Sequence, residues 1–388
     1  MGQPAGRHWP GHLGDPVQEL TCLEICAGAG GQSLGLEGAE FSHVAAVEMD
    51  PHACETLRLN RPQWKVEEQD VHDFDGRPYN GVVDLLAGGV PCPPFSVAGK
   101  QLGAEDERDL FPEALRLVRE CEPAAVLLEN VPGLSQARFA GYRDQVLHEL
   151  QDVLGYQADW QVLNACEFGV PQLRPRFILV AMRPDAYAHF EWPNAVGTPP
   201  TVGEALRALM AEGGWEGADE WARKANGVGP TLVGGSRKHG GPDLGPTRAR
   251  EAWRKLGVDG RGLADAPPPA DAPVDHLPRL TREMAAVIQG FPLDWQFYGR
   301  KTASYRQIGN AFPPPVARAV GASIRIAIQA ARRTGSQGLP GQDGGAHRRQ
   351  LLLDQPRLHR VVLGDRAPQA GGVPLDRGEL LDHLGGAQ

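Results

Sequence analysis

The chain has 388 residues, 41% of them hydrophobic, and a formal net charge of −9. That length predicts two or three domains with a real core, and no apolar run reaches the roughly 20 residues a membrane helix needs. Residues 1–17 lack the basic-then-apolar order of a secretory signal, and six cysteines without a CxxC pair suggest neither zinc nor a disulfide framework, so a cytoplasmic setting is expected.

The acidic balance speaks against nucleic acid only until its distribution is read. Between 223 and 261, nine lysines and arginines face three acids. A phosphate backbone requires such a local excess, although a solvated loop would show it too.

Taken in order, residues 1–17 read as a flexible leader. The apolar run 20–26 predicts a buried strand that enters Ala27-Gly28-Ala29-Gly30-Gly31 and then a helix over 32–38. Glycines let a ligand approach the backbone, and a helix N-terminus offers free amides. This is a nucleotide-cofactor pattern that plain packing also produces. A second strand over 44–50 ends in Glu48-Met49-Asp50, about 20 residues on, where an acid takes ribose hydroxyls. A helix over 51–59 follows, then a strand over 66–71 that places Asp70 to accept from an adenine amino group.

The next buried strand, 82–87, breaks into Gly88-Gly89-Val90-Pro91-Cys92-Pro93-Pro94-Phe95-Ser96. Prolines around one cysteine fix φ and remove amide donors. The segment is either a stiff loop presenting a thiol at the strand edge, where open parallel sheets collect chemistry, or a proline-rich turn with an incidental cysteine. A polar stretch over 101–109 precedes a helix over 110–120 and a strand over 124–128, which ends in Glu129-Asn130-Val131. A helix over 141–154 leads to strands over 156–163 and 176–181. Between them Arg174 and Arg176, separated by one proline, suit an anion.

After 183 the composition changes. Residues 184–278 read as a loop-dominated second domain with one helix over 201–210, a basic loop over 231–241 and a proline/alanine linker over 264–273. Regular structure resumes with a helix from 281 to 289, capped by Thr281 and stopped by Gly290-Phe291-Pro292. Gly309-Asn310-Ala311 then leads into an amphipathic helix over 315–332, and 334–388 reads as mostly disordered.

Together these segments resemble the DNA cytosine-5 methyltransferase family over about residues 20–183 and 279–330. The resemblance rests on Ala27-Gly28-Ala29-Gly30-Gly31, Glu48-Met49-Asp50, Pro91-Cys92-Pro93-Pro94-Phe95-Ser96, Glu129-Asn130-Val131, Gln172-Leu173-Arg174-Pro175-Arg176, Gln289-Gly290-Phe291-Pro292 and Gly309-Asn310-Ala311, in family order. It implies an α/β fold: a Rossmann-like sheet of the S-adenosylmethionine-dependent methyltransferases with helices on both faces. That catalytic domain would comprise 18–183 and 279–333, interrupted by a small target-recognition domain at 184–278.

The resemblance also implies roles. Cys92 would be the nucleophile, and Glu129 would hold or donate a proton at N3. Arg174 and Arg176 would orient the base and the catalytic loop, with Arg174 the neighbour that lowers the thiol's pKa. Contacts to S-adenosylmethionine would come from Cys26, Ala27, Gly28, Glu48, Met49, Asp70, Val71, Pro91, Leu110, Asn310 and Ala311, with no metal. The partner would be double-stranded DNA with the target cytosine flipped out; within the inserted region Arg237, Lys238, Arg248 and Arg250 are candidates for guanine or phosphate contacts, each of which also reads as a solvated surface charge. A monomeric modification enzyme paired with a restriction endonuclease is expected. One departure stands out: Glu24-Ile25-Cys26 replaces the usual Asp-Leu-Phe, so Cys26 occupies the place of an aromatic that often packs on the cofactor.

Three rivals differ in what they leave without a job. A transfer-RNA methyltransferase would share Cys92 and Glu129 but has less use for the long inserted domain. A nucleotide-cofactor oxidoreductase would have no role for the cysteine loop or for Glu129-Asn130-Val131. A DNA-binding module without catalysis would not need Cys92, Glu129 and Arg174 intact.

Overall fold

The computed structural model describes residues 19–91, 109–234, 241 and 243–336. Its strands are β1 (Leu20–Ile25), β2 (Phe41–Glu48), β3 (Val66–Glu68), β4 (Leu85–Gly88), β5 (Ala125–Asn130), β6 (Gln157–Asn164) and β7 (Pro175–Met182). They form one sheet in the order β3-β2-β1-β4-β5-β7-β6. Parallel pairing links β3 through β5, and β7 runs antiparallel to both β5 and β6. The order reverses between β1 and β4, and in open α/β sheets a ligand crevice opens at such a reversal.

Side-chain alternation builds the two faces. Leu23, Ile25, Val126, Leu128, Phe177 and Leu179 enter one apolar cluster with helix α3 (Phe111–Cys121) and helix α4 (Ala140–His148). Leu20, Cys22, Ala125, Leu127, Ile178 and Val180 enter the other. There they meet α1 (Gly31–Gly38) and the long helix α11 (Pro314–Ser336), whose buried Val316, Val320, Ile324 and Ala327 recur at helical spacing. The expected C-terminal helix therefore covers the first strand. The helix α2 (Pro51–Asn60) is capped by the Asp50 carboxylate, which accepts from His52 N at 2.9 Å.

Several expectations need correction. The strand expected over 66–71 stops at Glu68, because Asp70 caps a short 3-10 turn over Val71–Asp73 by accepting from His72 N. The strand expected from 82 starts at Leu85, since Val82 N is already bonded to Tyr79 O in a turn. Beyond the short α5 (Pro184–Tyr187) and the expected α6 (Val202–Ala211), two unexpected helices form: α7 (Ala218–Lys224) and α8 (Thr247–Lys255). A further unexpected helix, α10 (Lys301–Asn310), follows α9 (Arg282–Ile288), which Thr281 caps as expected by accepting from Met284 N. The linker expected over 264–273 is tied down at points: Pro268 is buried, Ala272 packs against a third apolar cluster, and Pro269 bridges Gly214.

That third cluster contains Leu206, Trp221, Leu232, Trp253, Leu280, Ile288 and Tyr305 together with Leu57 and Trp64. It continues through the boundary expected near 278, so α9 and α10 pack with the inserted segment. Among the described residues no helix is long and apolar enough to cross a membrane.

Candidate active site

A cleft of about 310 Å³ opens at the C-terminal ends of β1, β2, β4 and β5. All eleven residues expected at the cofactor line it: Cys26, Ala27, Gly28, Glu48, Met49, Asp70, Val71, Pro91, Leu110, Asn310 and Ala311. Its volume is at the lower end of the range for small-molecule sites. Gly28 has φ +55°, and a Cβ built there meets nothing within 4 Å, so its backbone faces open space that a ligand can fill. Cys26 adopts φ +50°, an uncommon conformation for a residue with a side chain.

The walls are held by hydrogen bonds that the sequence did not announce. Glu48 accepts from Gly28 N at 2.7 Å, Asp50 N at 2.7 Å and Met49 N at 2.9 Å, tying the end of β2 to the glycine turn. Burial nevertheless raises its pKa above the usual carboxylate value. Asp70 accepts from His72 N and bonds the His72 ring at 2.7 Å, which lowers its pKa. Trp295 Nε1 donates to Ala29 O at 3.1 Å. Opposite, Thr56 Oγ1 donates to Gln307 Oε1 at 2.6 Å and Arg306 lies 3.4 Å from Asp50, so α2 and α10 are clasped together.

Sequence reasoning missed several lining residues, among them Glu24, Gln32, Gln69, Gly89, Arg306 and Phe312. Glu24 and Gln32 are buried and keep polar atoms without a hydrogen-bond partner, Glu24 Oε1 and both amide atoms of Gln32. The signal available for them was two polar residues inside otherwise apolar buried runs.

Cys92, Arg237 and Lys238 lie outside the described residues, as does 337–388. The approach to Cys92 is described. Asn130 Nδ2 donates to Val90 O at 2.8 Å, and Asn130 Oδ1 accepts from Val131 N at 2.8 Å. Leu110 N donates to Pro91 O at 3.3 Å, so the two residues stand side by side. Glu129 also lines the cleft. One of its oxygens pairs with Arg176 Nε at 2.5 Å, and Oε2 lies 3.4 Å from the Cβ position of Gly89.

The two arginines separate. Arg176 meets an anion, the Glu129 carboxylate. Arg174 does not meet the anion that its spacing suggested. It is 1% exposed, and its guanidinium donates to Leu232 O (2.7 Å), Gly309 O (2.7 Å) and Ala311 O (3.0 Å). Burial pushes its pKa down. Neighbouring Gln172 does related work, donating to Ile288 O at 3.0 Å and accepting from Leu232 N at 2.7 Å. The motif 172–176 thus joins the sheet to the inserted segment and to the end of α10. Of the expected DNA contacts, Arg248 is exposed on α8, while Arg250 Nη2 donates to Thr247 Oγ1 at 3.2 Å.

Comparison with known proteins agrees with this geometry. The family model described as C-5 cytosine-specific DNA methylase matches residues 20–325. The chain is 58% identical over 316 residues to Type II methyltransferase M.NaeI of Lentzea aerocolonigenes, covering 80% of this chain and 76% of that one. It is 51% identical over 319 residues to Type II methyltransferase M.NgoMIV of Neisseria gonorrhoeae, covering 80% and 99%. Among solved structures, the S. pombe Dnmt2 methyltransferase shares the fold with a TM-score of 0.52 at 18% identity, over 80% of this chain and 98% of that one.

Proposed function

The chain belongs to the C-5 cytosine-specific DNA methylase family, and from that premise we propose that it methylates carbon 5 of a cytosine within a specific duplex DNA sequence through a covalent Cys92 adduct. The type II designation of the relatives supports a role as the modification half of a restriction–modification pair, with a cognate endonuclease as its counterpart.

One observation carries the reading. Glu129 lines the same cleft as the expected cofactor contacts, and its neighbour Asn130 holds Val90, two residues before Cys92. An acid and the approach to a thiol are thereby fixed to one strand edge. A second observation concerns the other thiols. Burial pushes the thiols of Cys22 and Cys26 well up, those of Cys54 and Cys121 to about 12 and that of Cys166 to about 11. A protonated thiol is a poor nucleophile, which favours Cys92 over these five.

Gly28, Glu48, Asp70, Asn310 and their neighbours would hold S-adenosylmethionine, which would supply an electrophilic methyl group, its methyl–sulfur bond breaking with the electron pair left on sulfur to give S-adenosylhomocysteine. The thiolate of Cys92 adds to carbon 6 of the cytosine, and the electron pair of the 5,6 double bond moves to carbon 5, making it nucleophilic. Glu129 holds or donates a proton at N3 and accepts from the exocyclic amine, which stabilises the adduct. Arg176 keeps Glu129 in place through one oxygen and leaves the other facing Gly89. After methylation a base removes the carbon 5 proton, its bonding pair re-forms the double bond, and Cys92 leaves as the thiolate. Carbons 5 and 6 are out of reach within a stacked duplex, so the target base is flipped out, at a cost of a few kcal/mol.

The test is methyl transfer from labelled S-adenosylmethionine to mixed duplex DNA, wild type beside Cys92→Ser. Label in 5-methylcytosine with wild type alone is expected. Equal incorporation by both proteins would sink the covalent mechanism, and label in transfer RNA but not DNA would move the substrate.

A further inference from the structure

Of the seven described cations between 223 and 261, four have local partners. Lys224 pairs with Glu220 at 2.6 Å, Arg261 with Asp259 at 2.8 Å, and Arg223 donates to Asp219 O. Arg250 is tied to Thr247. The remaining described cations, Arg248, Arg254 and Lys255, all sit exposed on α8, and among the described residues none of their side chains has an ion pair or hydrogen bond. Nearby acids do not cancel them. Asp259 is held between Arg261 and Arg279, and Asp243 accepts from Gly245 N. Glu251 is the acid on their own helix.

At about 100° per residue, Arg248, Glu251, Arg254 and Lys255 fall on the side away from Trp253. Trp253 is fully buried and seats α8 on the segment 229–233: a Cβ at Gly229 would lie 2.5 Å from its ring. Gly229 is itself bonded to Pro171 O (3.0 Å) and Leu173 N (2.7 Å), at the edge of the motif 172–176. Four residues on, Val233 abuts Gly309, which adjoins the cleft residue Asn310. The cationic face thus rides on the block that walls the cofactor cleft.

We infer that the outer face of α8 is a clamp for the phosphate backbone of duplex DNA, adding affinity for any sequence and no sequence choice of its own. The inference rests on the proposed DNA-methylating function. Reading a guanine takes a bidentate fork set against its O6 and N7, and among the described residues none holds these three side chains in one geometry. Phosphate contacts ask only for charge within reach. From Arg248 to Lys255 the helix rises about 10 Å, the span of about three phosphates along one strand.

The full chain carrying Arg248→Gln, Arg254→Gln and Lys255→Gln is compared with wild type on two duplexes, one that wild type methylates and a scrambled counterpart, over about 50 to 200 mM salt. The slope of log K against log salt becomes shallower by up to about 2.7, at about 0.9 per lost contact. The loss is equal on both duplexes, and both the methylated sequence and the affinity for S-adenosylmethionine stay unchanged. Glu251→Gln has the opposite sign and tightens binding to both. An unchanged slope overturns the clamp, as does an altered methylated sequence, which would make α8 a base reader. Wild type that methylates no duplex DNA overturns the enzyme reading itself, and the clamp with it.

Discussion

Gly309 and Gly234 cross backbone to backbone where the inserted segment meets α10, and Gly309→Ala tests what that crossing does. The added methyl would sit 2.5 Å from Gly234 Cα, closer still to Gly234 N, and 3.0 Å from Val233 C. All three are main-chain atoms, so no side chain can rotate away. Ordinary carbon contacts need about 3.5 Å or more, and the two segments must part by about 1 Å. Overpacking of this kind costs about 1–3 kcal/mol, a fall of several degrees in Tm. The displacement also reaches function, because Asn310 and Ala311 line the cleft and Leu232 is held by Arg174. A 1 Å misplacement of positioned groups costs on the order of 100-fold in rate. Thermal melts, calorimetric titration with S-adenosylmethionine and kcat/KM on duplex DNA are to be measured well below the melting transition. Gly309→Ala is expected to lose in all three. Gly234→Ala, whose methyl would meet Arg306 O at 2.5 Å and Asn310 N at 2.8 Å, should lose alike. Gly141→Ala, with nothing within 4 Å in the first turn of α4, serves as the control and is expected to melt, bind and turn over like wild type. If Gly309→Ala melts, binds and turns over like wild type, the crossing is not a functional joint.

Two further outcomes follow from the titrating groups. At pH 8 a thiol with a pKa of about 11, as at Cys166, is roughly one part in a thousand thiolate, so a limiting thiol reagent should label Cys92 first and abolish methyl transfer; peptide mapping that finds the fast label at Cys26 or Cys166 would refute that preference. Asp259, held well below the usual carboxylate range by Arg261 and Arg279, titrates in the folded state below the about 3.9 of an unfolded aspartate. Its contribution is present above about pH 4 and is lost as pH falls through the native value. Asp259→Asn should therefore cost about 1–3 kcal/mol at neutral pH, with the gap to wild type closing in acid. A gap that stays constant or widens on acidification would contradict the assignment.

Strands β1, β5 and β7 were legible because each is a continuous apolar run bounded by turn residues, and the cleft followed from motifs at their C-terminal ends. The helices α8 and α10 were not. α8 is anchored by Trp253 alone, so it carries no repeating apolar stripe, and its charges read as loop. α10 buries Ser304, Tyr305, Gln307 and Ile308, a mixed face that suits Thr56 and the cleft but not a hydrophobic periodicity. The domain boundary near 278 was drawn from composition. The apolar cluster that crosses it depends on Leu280, Ile288 and Tyr305 meeting Leu206, Trp221 and Trp253 across the sequence. Nothing local to either stretch encodes that meeting.

Arg174 shows what spacing alone leaves out. Two arginines around a proline both suit an anion, and here one carboxylate, that of Glu129, is satisfied by Arg176. Arg174 is left as a cation taken out of water, an expensive state unless polar groups surround it. The groups that do so are three carbonyls far apart in sequence: Leu232 from the inserted segment, and Gly309 and Ala311 from the end of α10. None of the three is near residue 174 in the chain, so these bonds form only when both segments are docked on the sheet, where they offset the cost of burying the cation. Gln172 adds neutral bonds to Ile288 O and Leu232 N in the same direction. The motif 172–176 therefore divides its labour by solvation: Arg176 orients the acid that faces the cleft, and Arg174 fixes the backbone that walls it.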